Sequence, residues 1–160
     1  MPVAGLFGSD LPAASGFRTV RDPYSEQEVF VIPRIAPDWA VIHVHEADAQ
    51  GNARFFGSPF WDRIMARAAD RVIVTAERIV PTAEFERLPE LTAIPAFMVA
   101  AVVEAPGRAW PGACWPLYGT DEAAIWDYLA ASKDATALAA YLERTRERDA
   151  ATAPMAAPIP

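Results

Sequence analysis

Two short apolar runs dominate the middle of the chain. Trp39-Ala40-Val41-Ile42-His43-Val44-His45 and Arg71-Val72-Ile73-Val74-Thr75-Ala76 are rich in β-branched residues. Runs of that length and composition have the pattern of buried strands. Between them, Phe60, Trp61, Ile64, Met65 and Ala68 recur at helical spacing through Ala69,. Ser58 is placed to cap that helix, with Pro59 at its first position,. Glu46 to Gly57 reads as a loop. Strand, helix, strand at this spacing predicts a βαβ unit with a right-handed crossover. A third strand is expected over Ala96 to Glu104, although its alanines also suit a helix. The fold class that follows is α/β, a mostly parallel sheet with flanking helices.

The flanks are less regular. Gly5 to Leu11 is punctuated by glycine and reads as a loop. Phe17 to Arg21 and Glu28 to Ile32 are strand-like, and Asp22-Pro23-Tyr24-Ser25 between them puts proline where a type I turn favours it,. Pro106 to Tyr118 reads as a loop. Thr120 is placed to cap a helix through Ser132, with Asp121 and Glu122 in its first turn, where the helix dipole favours acids,. Asp134 is placed to cap a last helix from Ala135 to about Arg148. Residues 150–160 hold three prolines and no charge, the pattern of a loose tail,. One domain over residues 1–149 is expected, followed by that tail.

Composition narrows the classes. The chain has 160 residues, 52% of them hydrophobic, which supports a sizeable core,. A formal net charge of -7 disfavours nucleic acid and anionic membrane surfaces,. No apolar run approaches the roughly 20 residues of a membrane span, and the first ten residues lack a secretory pattern. A cytoplasmic protein with no nucleic-acid and no membrane partner is expected. Cys114 is the single cysteine, so no intrachain disulfide is possible.

Candidate chemistry is sparse. His43 and His45, two apart on a strand, share a face,. They lie toward the end of a parallel strand, where open α/β sheets bind ligands. A structural, hydrogen-bonded role fits His43 equally, and no metal is expected at the pair. Asp48, Gly51 and Asn52 have the composition of a turn, with side chains bonding their own backbone,. Glu77 ends the second strand, where a carboxylate could serve catalysis, pair with Arg71 or Arg78, or cap a loop amide, and the structural role is the one expected,. Gly8, Ser9 and Asp10 lie in a loop whose small residues let backbone amides approach an anion,. Cys114 has no neighbouring base in the sequence and reads as an inert thiol. Trp110 and Trp115 suit a subunit interface or stacking on adenine,.

Several of these segments recur together in one family. Gly5 to Leu11 is similar to a glycine-rich segment ending in Gly-Ser-Asp, and Asp22-Pro23-Tyr24 to an Asp-Pro-aromatic turn. Pro33 to Gly57 carries a proline-led strand, then His43, then Ala47, Asp48, Gly51 and Asn52 at the spacing of Ala-Asp-x-x-Gly-Asn. Ala66 to Val80, with Glu77, and Ile94-Pro95 through Pro111 follow in the same order. In this the chain resembles the second half of the alpha subunit of family I CoA-transferases, the glutaconate CoA-transferase type. It departs where the family has aspartate and this chain has Ala100, and it is about half as long.

That resemblance implies a CoA-transferase-like fold and a hetero-oligomer with a beta subunit. It implies CoA transfer between carboxylic acids, through a glutamyl-CoA thioester whose nucleophile lies on the partner. Acyl-CoA and a carboxylic acid are then substrates, no cofactor is needed, and the chain alone is inactive and holds no catalytic residue. Gly8, Ser9, Asp10 and His43 are the expected acyl-CoA contacts. The alternatives are a related CoA-thioester hydrolase or ring-opening enzyme of steroid breakdown, or a non-catalytic assembly module.

Overall fold

A computed structural model describes residues 2–3, 5–150 and 157–158. They form two compact units, residues 1–36 and 37–160. The first is a three-stranded antiparallel sheet of β1 (Pro2–Val3), β2 (Arg18–Arg21) and β3 (Glu28–Val31), in the order β1-β3-β2. Helix α1 (Leu11–Ala14) lies between β1 and β2. The expected hairpin is β2 and β3, with Arg18 opposite Val31 and Arg21 opposite Glu28. Asp22 closes its turn by accepting from the amides of Tyr24 and Ser25 at 3.2 and 3.3 Å.

The second unit holds β4 (Trp39–Ala47), β5 (Ala53–Arg54), α2 (Asp62–Ala68), β6 (Arg71–Ile79), α3 (Thr82–Arg87), β7 (Val99–Glu104), α4 (Glu122–Ala131), α5 (Ala135–Ala150) and β8 (Ala157–Pro158). Its sheet order is β5-β4-β6-β7-β8. The inner strands β4, β6 and β7 run parallel, and the edges β5 and β8 are antiparallel. The fold is thus α/β with a mostly parallel sheet, and β4-α2-β6 is the expected βαβ unit. Apart from β8, the tail beyond residue 150 lies outside the described residues.

Burial along β4 and β6 alternates, which corrects the reading of both runs as wholly buried. Ala40, Ile42, Val44, Val72, Val74 and Ala76 face one side and form the core with Ala66 of α2, Ile94 and Val102. The opposite face carries Trp39, Val41, His43, His45, Thr75 and Glu77, of which Val41 is 62% exposed. A parallel strand looks continuously apolar when both faces are covered. Here the apolar residues at the start of the second face are open and its end carries the polar groups.

Other boundaries differ for local reasons. Residues 46–57 are not all loop, because Glu46 and Ala47 pair with β5. Helix α2 starts at Asp62 instead of Pro59. Phe60 holds a left-handed φ of 41°, which interrupts the helical run, and the Ser58 hydroxyl accepts only from the Phe60 amide at 3.4 Å,. Helix α4 is capped by Asp121 instead of Thr120, its carboxylate accepting from Ala124 N at 3.0 Å. Asp134 caps α5 as expected, accepting from Ala137 N at 2.8 Å. Residues Ala96–Met98 form a 3-10 turn ahead of β7. Helix α3, unforeseen, covers the end of the core with Phe85.

At that end the core contains charge. Buried Glu46 takes Arg54 Nε at 2.6 Å and also pairs with Arg78. The Arg54 guanidinium lies 4.9 Å from the Phe85 ring centroid. Arg78 is therefore committed to Glu46, not to Glu77. A buried carboxylate is tolerable only when paired and hydrogen-bonded in this way.

Candidate functional site

The polar end of the second sheet face is where β4 and β6 place chemistry side by side. His43 pairs with Thr75 in the ladder, so period two puts His43, His45, Thr75 and Glu77 on one surface,. His43 Nδ1 lies 2.9 Å from Thr75 Oγ1, and Nε2 lies 2.7 Å from Glu77 Oε1. A carboxylate only accepts, so Nε2 carries the proton. The loop after β7 closes over the pair. Gly107 N donates to Glu77 Oε2 at 2.8 Å, and the Tyr118 hydroxyl donates to Oε1 in a short contact. Tyr118 in turn accepts from Ala109 N at 3.1 Å.

Glu77 is thus a buried carboxylate with three donors. Burial alone would raise its pKa. The hydrogen bonds from Tyr118, Gly107 and His43 outweigh that and hold it below the ordinary glutamate value,. Burial, then the bond to Glu77, pushes Tyr118 well up, so it stays a protonated donor. Cys114 lies in the same cluster, its sulfur within 4.8 Å of ligand atoms of His43 and Glu77. Bases absent from its sequence neighbourhood are therefore adjacent in space. Burial and the negative charge of Glu77 nevertheless raise the thiol pKa, which preserves the inert reading,.

His45 is differently engaged. Its Nε2 donates to the Trp115 carbonyl at 2.6 Å, and its Nδ1 accepts from Phe56 N at 3.2 Å. That pattern fixes the neutral tautomer with hydrogen on Nε2 and pins residue 115 of the loop to β4. His43 and His45 therefore serve separate networks. The spacing that could hold a metal is instead His43, Glu77 and Cys114. A metal there would have to displace the Tyr118 bond to Glu77 and take the proton from a thiol that resists losing it.

Above this cluster opens a cavity of about 490 Å³, within the usual range for small-ligand pockets,. His43, His45 and Cys114 border it, with Phe55, Phe56, Phe60 and Trp115 as its larger walls and Asp62 on the α2 side. Of the expected acyl-CoA contacts, His43 is in this cavity. Gly8, Ser9 and Asp10 belong to the first unit, where the Ser9 amide and hydroxyl both donate to the Leu6 carbonyl, at 3.3 and 3.0 Å. The Asp48 turn is as expected. Its Oδ1 accepts from the amides of Gln50, Gly51 and Asn52 at 3.0, 2.9 and 2.9 Å.

Comparison with known proteins places this geometry. The coenzyme A transferase family profile matches residues 19–105, a span that includes His43, Thr75 and Glu77. The chain belongs to that family. It is 43% identical over 144 residues to an uncharacterized protein of Archaeoglobus fulgidus, covering 90% of this chain and 32% of that one. Identity is 36% over 118 residues to a glutaconate CoA-transferase subunit of Acidaminococcus fermentans, covering 73% of this chain and 37% of the relative. It is 33% over 132 residues to the cholesterol ring-cleaving hydrolase IpdA subunit of Mycobacterium tuberculosis strain H37Rv, covering 76% and 45%. The crystal structure of glutaconate coenzyme A-transferase from Acidaminococcus fermentans superposes with a TM-score of 0.81 at 30% identity, over 90% of this chain and 51% of that one.

The chain therefore spans about a third to under half of the length of these curated relatives. Among the described residues, no helix is long and apolar enough to cross a membrane. Sequence reasoning missed Thr75, Tyr118 and Cys114 as partners of His43 and Glu77. The signal available was the recurrence of polar residues at i and i+2 in two adjacent apolar strands. Tyr118 and Cys114 gave no such signal, because the loop that carries them has no period.

Proposed function

We propose that this chain is part of the alpha-type subunit of a coenzyme A transferase, and that the cavity at His43 receives the acyl end of a CoA thioester. In the reaction envisaged, a glutamate supplied by the partner attacks the thioester carbonyl. The C–S bond breaks, CoA leaves as thiolate, and an acyl-glutamyl anhydride forms. The thiolate then attacks the glutamyl carbonyl and releases the first acid. The acceptor carboxylate then attacks the glutamyl-CoA carbonyl and expels the thiolate to form a second anhydride, and the thiolate attacks its acyl carbonyl, giving the new acyl-CoA and the free glutamate. Such a path needs a positioned carboxylate nucleophile and donors for the oxyanion.

The observation that carries the reading is the state of Glu77. Its two oxygens are committed to His43, Tyr118 and Gly107, and its pKa is held down. A carboxylate stabilised as an anion and enclosed by donors is a poor nucleophile and a good anchor. It holds His43 at the cavity floor and ties the 107–118 loop to the sheet. That role for Glu77 supports the reading that the family resemblance implies, with the nucleophile on the partner. The names of the relatives, which are subunits, support a two-chain assembly. Gly8, Ser9 and Asp10 are proposed, separately, as further contacts of the thioester.

The test is a transferase assay of the chain alone and after co-expression with its partner, using a panel of acyl-CoAs and acceptor acids. Turnover only in the assembly is expected, and turnover by the chain alone contradicts the reading. A hydrolase of a ring-bearing CoA thioester is the second reading, favoured by the 33% identity to the IpdA subunit. CoA release without an acceptor acid distinguishes it.

A further inference from the structure

The cavity at His43 has a polarity that bears on which acyl group it accepts. Its larger walls are aromatic: Phe55, Phe56, Phe60 and Trp115, with Ala109 and Ala113 between them. Its two imidazoles are already engaged. Both ring nitrogens of His43 are engaged, by Thr75 and Glu77. Both of His45 are engaged, by Phe56 N and the Trp115 carbonyl. Neither imidazole has an N–H to turn toward a ligand anion.

Fixed charge in and around the cavity is negative. Glu77 lies behind His43 as a carboxylate. Asp62 borders the opening, and burial raises its pKa, so even its own anion is poorly accommodated there,. A nearby cation, Arg54, lies 5.8 Å from the Phe56 ring centroid and is not among the residues that line the cavity. It is 6% exposed, bound to Glu46, and donates to the Glu84 carbonyl at 3.4 Å. Among the described residues, no arginine or lysine lines the cavity.

We propose that this cavity selects an uncharged, apolar or aromatic acyl group and discriminates against acyl chains that end in a second carboxylate. The selection rests on desolvation. An alkyl or phenyl group gains from leaving water against the four aromatic rings. A terminal carboxylate entering the same space loses hydration, meets no cation and no side-chain donor stronger than the Ser58 hydroxyl and the Trp115 indole N–H, and faces Asp62 and Glu77,. The proposal rests on the reading of the cavity as an acyl site, and it adds the class of acid that the site takes.

A matched pair of six-carbon thioesters tests it. Hexanoyl-CoA and adipyl-CoA differ only by a terminal carboxylate, so titration calorimetry of the full chain with each reads the discrimination directly. Hexanoyl-CoA is expected to bind at least about tenfold tighter, a difference of about 1.4 kcal/mol. The Phe60→Arg variant, which adds a cation at the exposed rim, is expected to remove or reverse the preference while melting like the parent. Phenylacetamide, an uncharged mimic without CoA, serves as the third probe, followed by amide shifts of Phe56 and Ala113. If adipyl-CoA binds as tightly as hexanoyl-CoA, the selectivity is overturned and the transferase reading stands. If phenylacetamide shifts those amides but neither thioester binds, the apolar site stands and the transferase reading falls. If none of the three binds, both are overturned.

Discussion

His43 and Glu77 meet diagonally across two parallel strands, Nε2 to Oε1 at 2.7 Å, although 34 residues separate them in the chain. His43 pairs with Thr75 in the ladder, so Glu77 is one same-face step further along. The contact follows from period two on both strands. It joins the cavity floor to a carboxylate that also holds the 107–118 loop through Gly107 and Tyr118. Removing the charge of Glu77 should therefore loosen the loop and the cavity together.

The first prediction follows from the depressed pKa of Glu77. A carboxyl whose folded pKa lies below its unfolded value, about 4.3, contributes stability above that value. The contribution is lost as pH falls through the folded pKa. Urea unfolding of the parent should lose stability more steeply on acidification below about pH 4.5 than unfolding of Glu77→Gln. At pH 7 the variant should be less stable by about 1–3 kcal/mol, because its amide nitrogen faces donors that it cannot accept from. Equal acid slopes in parent and variant would contradict the assigned role.

Asp121 provides a second measurement, independent of the cavity. Its carboxylate caps α4 at Ala124 N and also accepts from Trp110 Nε1 at 2.9 Å. Those bonds hold its pKa below the ordinary aspartate value. Asp121→Ala is expected to lower the melting temperature measurably, because an N-cap bond is lost. Thr120→Ala should cost almost nothing, and the opposite order would mean that the helix is capped as the sequence alone suggests.

The proposed contact at Gly8-Ser9-Asp10 is tested in the assembled enzyme. Ser9→Trp should reduce kcat/KM at least about 10²-fold, the scale of losing one oxyanion donor. Arg146→Ala, at an exposed residue whose ion pair with Glu143 is 3.5 Å long, should leave activity unchanged. Both variants must assemble and melt like the parent. Parent-like turnover by Ser9→Trp would remove this loop from the site.

The parts of this protein that are legible in the sequence are those with a local signal, an apolar run, a helical spacing or a turn. The strands β4 and β6 follow from their β-branched runs, the helix between them from apolar spacing, and the hairpin of the first unit from its Asp-Pro turn. The Asp48 turn follows from side chains that satisfy their own backbone. Where sequence reasoning fails, a tertiary contact intervenes. The position of Glu77 suggests a nearby arginine or a loop amide as its partner; the Gly107 amide does bond it, but Glu46 on the other face claims Arg78, and Glu77 turns to His43 and Tyr118. Cys114 looks isolated in the sequence, yet the aperiodic loop after β7 folds it against β6. The start of α2 shifts because Phe60 adopts a left-handed backbone that no helical pattern reveals.

The central proposal is that the glutamate that takes up CoA lies on a partner, while Glu77 anchors the cavity. Intact-mass spectrometry of both polypeptides after incubating the assembled enzyme with hexanoyl-CoA tests it most directly. A CoA adduct on the partner polypeptide, with this chain at its unmodified mass, is the expected result. A CoA adduct on this chain that disappears in Glu77→Gln would contradict the account.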